Sequence, residues 1–126
     1  MNKDLYKQYK DILSKASGVE YVGDGWYKII NDCLAQLLVV LIPTKAEVVQ
    51  IKEKFGTLRI YVEWNGDSGK TPYDMVNKVI TEAENKSAIT CEECGQPGTI
   101  DKSFPWVKTL CDKCKEERAN EMQRRN

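Results

Sequence analysis

The chain has 126 residues, of which 41% are hydrophobic and 30% are charged, and its 19 basic side chains equal its 19 acidic ones. This length fits one compact domain with a small appendage, and no apolar run approaches the roughly 20 residues of a membrane span. The charge is also balanced locally, because residues 1–89 carry 12 basic and 12 acidic side chains and residues 90–126 carry seven of each. Composition therefore gives no sign of the basic surface expected of a protein that depends on phosphate contacts.

The N-terminal part is predicted to be helical. A first helix has apolar residues at helical spacing and stops at Ser17-Gly18; these residues are Leu5, Tyr9, Ile12, Leu13 and Ala16. Gly23-Asp24-Gly25 then breaks the chain, and Asp24 is expected to cap the next helix. That helix begins at Trp26, has an uninterrupted apolar stripe as far as Leu41, and ends at Pro43.

Residues 46–64 change to a period of two, which predicts a two-stranded hairpin with one apolar face around Phe55-Gly56. Phe55 and Gly56 are expected to supply the turn and an anchor in the core. A loop is predicted at 65–69, followed by a helix with Thr71 as its N-cap and Pro72 at its first position. Because a two-stranded sheet is not stable alone, the expected fold class is α+β, with helices packed on a small antiparallel sheet.

Four cysteines near the C-terminus have the spacing of a structural zinc site. Cys91 and Cys94 form one C-x2-C pair, sixteen residues precede the pair Cys111 and Cys114, and Gly95 follows the first pair. The alternative is that these cysteines are coincidental or redox-active. Four thiolates would close a tetrahedral Zn²⁺ site without leaving a position for water, so we expect the metal to be structural.

The domain organisation predicted from these patterns is an α+β domain at 1–89 and a four-cysteine zinc ribbon with a C-terminal helix at 90–126. The fifth cysteine, Cys33, lies on the apolar stripe of the second helix and is expected to be a buried thiol. Zinc-spaced cysteines, together with an N-terminal segment that lacks the apolar region of a signal peptide, favour a reducing, cytoplasmic location. The chain contains no histidine, which removes the usual base for a serine or cysteine nucleophile.

Candidate binding residues lie on the outward face of the hairpin. Six side chains should project there, four of them basic or aromatic; they are Gln50, Lys52, Lys54, Arg59, Tyr61 and Glu63. Such a face could meet phosphates, a base or an acidic protein surface. The alternative is a solvated sheet face with cross-strand pairing of lysine and glutamate.

Aromatic residues supply further candidates. Trp26 follows the Gly-Asp-Gly break, where it could either pack in the core or contact a partner, and Trp64 ends the apolar strand face. Trp106 lies on the ribbon, which has little core, and is a candidate contact residue. In the C-terminal helix Arg118, Arg124 and Arg125 are interspersed with Glu116, Glu117 and Glu121, which indicates a solvated helix.

Three segments together resemble a known group of proteins. These segments are Gly23-Asp24-Gly25-Trp26, the run from Val49 to Tyr61 with its K-E-K-F-G-x-L-R-x-Y pattern, and the cysteine pairs. The combination resembles a family of small, mostly uncharacterised proteins encoded by bacteriophages and prophages. The resemblance implies a bacterial cytoplasm as the setting, and it assigns no catalytic residue.

Three function classes follow. The leading hypothesis is a non-enzymatic zinc-ribbon protein that binds a host or phage protein and inhibits or redirects host machinery such as a defence system. The alternative is a nucleic-acid-binding module that uses the ribbon and the hairpin face. The spacing of the acidic residues does not support an enzyme that uses carboxylates alone. The sequence also indicates neither a small-molecule substrate nor a membrane.

Overall fold

The computed structural model describes residues 1–64 and 72–125. In chain order the helices are α1 (Asp4–Gln8), α2 (Lys10–Leu13), α3 (Tyr27–Leu41), α4 (Tyr73–Ser87) and α5 (Asp112–Arg125). The strands are β1 (Glu47–Lys54), β2 (Thr57–Glu63), β3 (Thr99–Asp101) and β4 (Lys108–Leu110). The predicted α+β class is confirmed, with β1–β2 and β3–β4 as two separate antiparallel hairpins.

The first predicted helix is interrupted. Four of its five apolar residues are buried as expected, and Ala16 is partly buried beyond the end of α2, but Tyr9 leaves the helical conformation between α1 and α2. The Tyr9 hydroxyl donates to the backbone oxygen of Asn31 at 3.2 Å and also bonds the Asn31 side chain at 2.5 Å. The interruption between α1 and α2 is therefore stabilised by a contact with α3.

Asp24 does not cap α3, so that prediction was wrong. Its carboxylate accepts a hydrogen bond from the backbone nitrogen of Asn2 at 3.2 Å, and α3 has no side-chain cap. The course of α3 itself is confirmed, since it ends at Leu41, just before Pro43. Its stripe packs into the core, which also takes in Cys33 at 2% exposure.

The hairpin is confirmed, with two differences. The register shifts between Val48 and Gln50, which marks an irregularity in β1. Phe55 and Gly56 form the turn with φ of 54° and 86°. Phe55 is 70% exposed, however, so its predicted role as a core anchor was wrong.

One hydrophobic core holds the N-terminal part together, and its buried residues run from Leu5 to Ala83. Helices α1 to α4 supply it together with the inner face of the β1–β2 hairpin. Helix α4 has its predicted core face, whereas the expected N-cap Thr71 and the loop 65–69 lie outside the described residues. In the described ranges, none of the helices has both the length and the apolar character needed to cross a bilayer.

Candidate metal centre and hairpin–ribbon groove

The four predicted cysteine ligands lie together. Their Sγ atoms are all within 4.8 Å of one another, and those of Cys94 and Cys111 are 3.5 Å apart. Zinc–sulfur bonds of about 2.3 Å in a tetrahedron place sulfur atoms about 3.8 Å apart. The cluster could therefore hold a metal ion, and four soft thiolate donors are the set that structural zinc prefers.

Each cysteine pair is positioned by a tight turn. In the first, the backbone nitrogen of Gly95 donates to the oxygen of Cys91 at 3.0 Å, and Gly95 has the positive φ of 83° that such a turn requires. In the second, Cys111 directly precedes α5, and Cys114 lies in its first turn. The backbone nitrogen of Cys114 points at the Cys111 sulfur at 3.4 Å.

This second turn favours negative charge on sulfur. The N–H of Cys114 lowers the pKa of the Cys111 thiol to about 7, with further hydrogen bonds from the neighbouring cysteines in the same direction. Burial, with the neighbouring thiols, raises the pKa of Cys114. The Cys111 thiol therefore ionises more readily than an ordinary cysteine, and a bound divalent cation would deprotonate the coordinating thiols outright.

The first cysteine turn rests on the Gly-Asp-Gly break. The backbone nitrogen of Gly25 donates to the oxygen of Glu92 at 2.7 Å, and a Cβ on Gly25 would come within 2.3 Å of the oxygen of Cys91. Gly23 donates its N–H to the Glu92 carboxylate at 3.0 Å. Only glycine allows two backbone segments to approach this closely. The Gly23-Asp24-Gly25 segment is therefore also the surface on which the first cysteine turn packs.

Trp26 completes this contact from inside the protein. Its side chain is fully buried, and its indole nitrogen donates to the oxygen of Thr90 at 2.8 Å. A partner cannot reach it in this structure, which removes Trp26 from the candidate contact residues. Trp26 packs in the core, which was the alternative predicted for it. Trp64 is half-buried, and its ring centroid lies 4.5 Å from that of Tyr73.

The outer face of the β1–β2 hairpin has the predicted composition but not the predicted charge pairing. The register places Lys52 opposite Arg59 and Gln50 opposite Tyr61. Cross-strand pairing of lysine with glutamate was therefore a wrong expectation here, because two cations face each other. Arg59 turns to α4 instead, where its guanidinium lies 3.9 Å from the Glu84 carboxylate.

Trp106 and the hairpin tip meet in an open groove of about 510 Å³. We call it the hairpin–ribbon groove; its apolar lining consists of Phe55, Phe104, Pro105, Trp106, Val107 and Met122. Trp106 is 69% exposed, nearly as much as Phe55. The groove was missed from the sequence, although Trp106 itself was a candidate.

Two direct contacts fix the walls of this groove. The indole nitrogen of Trp106 donates to the Glu53 carboxylate at 3.2 Å, and the hydroxyl of Thr109 donates to the oxygen of Gly56 at 2.6 Å. The other Glu53 oxygen accepts from the N–H of Gly56 at 2.7 Å. Strand β1, the hairpin turn and the ribbon are thereby joined at one place.

Arg118 closes the floor of the groove. Its guanidinium bonds the Asp101 carboxylate at 3.0 Å, donates to the oxygen of Trp106, and lies 4.9 Å from the centre of the Phe104 ring. Its side chain is only 14% exposed, so the expectation of a solvated Arg118 was wrong. Arg125 fits that expectation, because its ion pair with Glu121 is exposed.

Comparison with known proteins adds no assignment. No family model, no curated protein and no solved structure matches the chain. The function has to be inferred from the residues of the metal centre, the hairpin face and the groove.

Proposed function

We propose that this chain is a non-enzymatic interaction protein, stabilised by zinc, that binds a protein partner through the hairpin–ribbon groove. The supporting observation is that two large aromatic side chains, Phe55 and Trp106, are each about two-thirds exposed and line one groove. Exposed aromatics in a defined depression are typical of the residues that dominate binding energy at protein interfaces. Nothing in core packing requires either ring to face solvent.

Zinc has a structural role in this proposal. A set of four thiolates closes the coordination sphere and leaves no position for a substrate or an activated water. The chain also lacks the histidine that would serve as a general base. The metal would fold the ribbon, and the ribbon in turn holds Trp106 against Glu53.

The setting we propose comes from the sequence resemblance to phage and prophage proteins. Free zinc-spaced thiols require a reducing compartment, which the bacterial cytoplasm provides. The partner would be a host or phage protein, and binding would inhibit or redirect host machinery such as a defence system.

Capture from a bacterial lysate tests the partner. Zinc-loaded protein is immobilised beside the double variant Phe55→Ser/Trp106→Ser, and retained proteins are identified by mass spectrometry. We expect at least one protein retained by the wild type and lost with the double variant. Tyr21→Ser is the matched control, because Tyr21 is an exposed aromatic at 86% that lies outside the groove. Retention unaffected by the double variant, or no specific retention, contradicts the proposal.

A nucleic-acid-binding module is the second candidate, and one observation favours it. Lys52, Arg59 and Tyr61 lie side by side on the outer hairpin face, a combination suited to phosphates and a stacked base. Binding of a fluorescent single-stranded oligonucleotide should then weaken steeply with salt and fall on Lys54→Ala or Arg59→Ala. If the fluorescence anisotropy of the oligonucleotide does not change when the protein is added at low salt, this candidate is excluded.

A further inference from the structure

The lining of the hairpin–ribbon groove includes one carboxylate that has no cationic partner. Glu53 lines the groove, and its oxygens accept hydrogen bonds from the indole nitrogen of Trp106 at 3.2 Å and from the backbone nitrogen of Gly56 at 2.7 Å. Both donors are neutral, and in the ranges 1–64 and 72–125 no lysine or arginine lies within ion-pair distance of this carboxylate. A carboxylate has about four acceptor positions, so Glu53 can still accept hydrogen bonds from a charged donor.

The cation that lines the groove is already neutralised. The Arg118 guanidinium bonds the Asp101 carboxylate at 3.0 Å, and its side chain is largely buried. Lys54 is not among the lining residues, because successive residues of a strand point to opposite faces and Lys54 follows Glu53 in β1. The lining therefore carries one uncompensated negative charge, which favours an entering cation over an entering anion.

Exposed aromatic rings lie in the groove beside this carboxylate. Trp106 is bonded to Glu53, and Phe55 follows Glu53 by two residues. The third ring, Phe104, already has the Arg118 guanidinium at 4.9 Å from its centre, whereas Phe55 and Trp106 are both mostly exposed. The faces of aromatic rings attract cations, and tryptophan attracts them most strongly. Two such rings beside a carboxylate are suited to a cationic side chain.

We infer that the groove receives an arginine side chain of the partner protein, which lies against Phe55 and Trp106 and pairs with Glu53. Arginine fits this site better than lysine, because its planar guanidinium stacks on aromatic rings and is more weakly hydrated than an ammonium. It also presents two parallel N–H donors to a carboxylate. This inference rests on the proposed function and names the chemistry that its partner brings to the groove.

The first test presents zinc-loaded protein to a yeast-displayed library of random peptides. We expect the enriched peptides to share an arginine. Replacing that arginine with citrulline keeps the shape of the side chain and removes its charge, and should weaken binding at least about tenfold. Replacing it with lysine should weaken binding several-fold. These peptides are compared on the unaltered protein, so the result does not depend on the folding of a variant.

The second test changes the carboxylate. Glu53→Gln keeps an oxygen acceptor and removes the charge, and we expect it to bind the arginine peptides at least about tenfold more weakly. Glu63→Gln is the matched control, because Glu63 is exposed at the end of β2 and does not line the groove; its affinity should stay within about twofold of wild type. Retained zinc and an unchanged thermal unfolding temperature show that each variant is folded. If Glu53→Gln does not fold, the citrulline comparison alone decides.

The inference is overturned by peptides without a shared arginine, by no enrichment at all, or by citrulline or lysine peptides that bind as well as the arginine peptides. Equal binding of the arginine peptides by folded Glu53→Gln overturns it as well. A lysate partner that requires Phe55 and Trp106 but is retained equally by Glu53→Gln would refute this inference and leave the proposed function standing.

Discussion

Phe55 occupies a backbone conformation that costs stability. With φ at 54°, it is the sole non-glycine residue with positive φ in the described part of the chain. The left-handed region costs a side chain about 1–2 kcal/mol, and asparagine tolerates it better than phenylalanine. A bulky, exposed ring in such a position is typical of a functional constraint, which agrees with its place at the mouth of the groove.

Phe55→Asn should therefore separate stability from binding. We expect the free energy of unfolding to rise by about 0.5–1 kcal/mol, because the strain is relieved and little buried area is lost. Binding of any groove-dependent partner should fall in the same variant. Chemical denaturation and the binding assay measure the two effects, and a variant that is less stable than wild type would contradict the strain we assign to Phe55.

The position of Phe55 had a signal in the sequence. Strands β1 and β2 are separated by two residues, and a two-residue hairpin turn of the favoured type needs positive φ at both. A side chain in that turn points away from the sheet. The alternating pattern predicts the two strands, and the two-residue turn between them already favours an exposed Phe55 over one anchored in the core.

Single elements differ in how far local sequence determines them. The course of helix α3 and its C-terminal end were predictable, because its apolar stripe is long and Pro43 follows it, whereas its N-terminal cap was not. The break at Tyr9 and the binding of Asp24 to Asn2 were not predictable, since each involves a partner more than 20 residues away. The spacing of apolar residues in the sequence predicts which face of a helix is buried. It does not predict which distant residues that face will contact.

Helix α5 buries little apolar surface and depends mainly on polar contacts. None of its described residues is buried, so apolar packing contributes little, whereas Arg118 reaches the buried Asp101. Burial raises the pKa of Asp101, but hydrogen bonds from Ser103 and the ion pair with Arg118 outweigh burial, and the net pKa is lowered. The stabilisation is thus present above the ordinary pKa of an aspartate, near 4, and is lost as the pH falls through the lowered value.

Asp101→Asn should cost about 2 kcal/mol at pH 7, because Arg118 then loses a charged partner in a largely buried position. Thermal or denaturant unfolding measures this loss. Glu121→Gln is the matched control, since it breaks the exposed pair with Arg125 and should cost under about 0.5 kcal/mol. Equal effects of the two substitutions would show that α5 does not depend on the buried pair.

At the scale of the whole molecule, two parts rely on different sources of stability. The N-terminal part has its own core, whose buried residues end at Ala83. The ribbon buries few apolar side chains, so we expect metal binding to supply most of its folding free energy. The boundary predicted near residue 89 stays a prediction. Hydrogen bonds connect the two parts, since Gly25 and Trp26 donate to the ribbon and the Gly56 oxygen accepts from it.

Chelation followed by alkylation tests this boundary. With zinc bound we expect little reaction with iodoacetamide, and after chelation we expect Cys91, Cys94, Cys111 and Cys114 to react while Cys33 does not. Cys33 is protected because burial, with the nearby Glu84, raises its pKa to about 12. Intact mass counts the modified thiols. Modification of Cys33 together with the other four would mean that the core opens with the ribbon.

The construction of the groove from two separate parts affects any affinity measured for this protein. Phe55 comes from the hairpin and Trp106 from the ribbon, so a chain whose ribbon is unfolded presents only half of the site. The apparent dissociation constant then equals the intrinsic one divided by the fraction of chains that are binding-competent. If the proposed zinc is removed by a chelating buffer or an affinity tag, we expect helices α1 to α4 to remain folded while binding through the groove is lost.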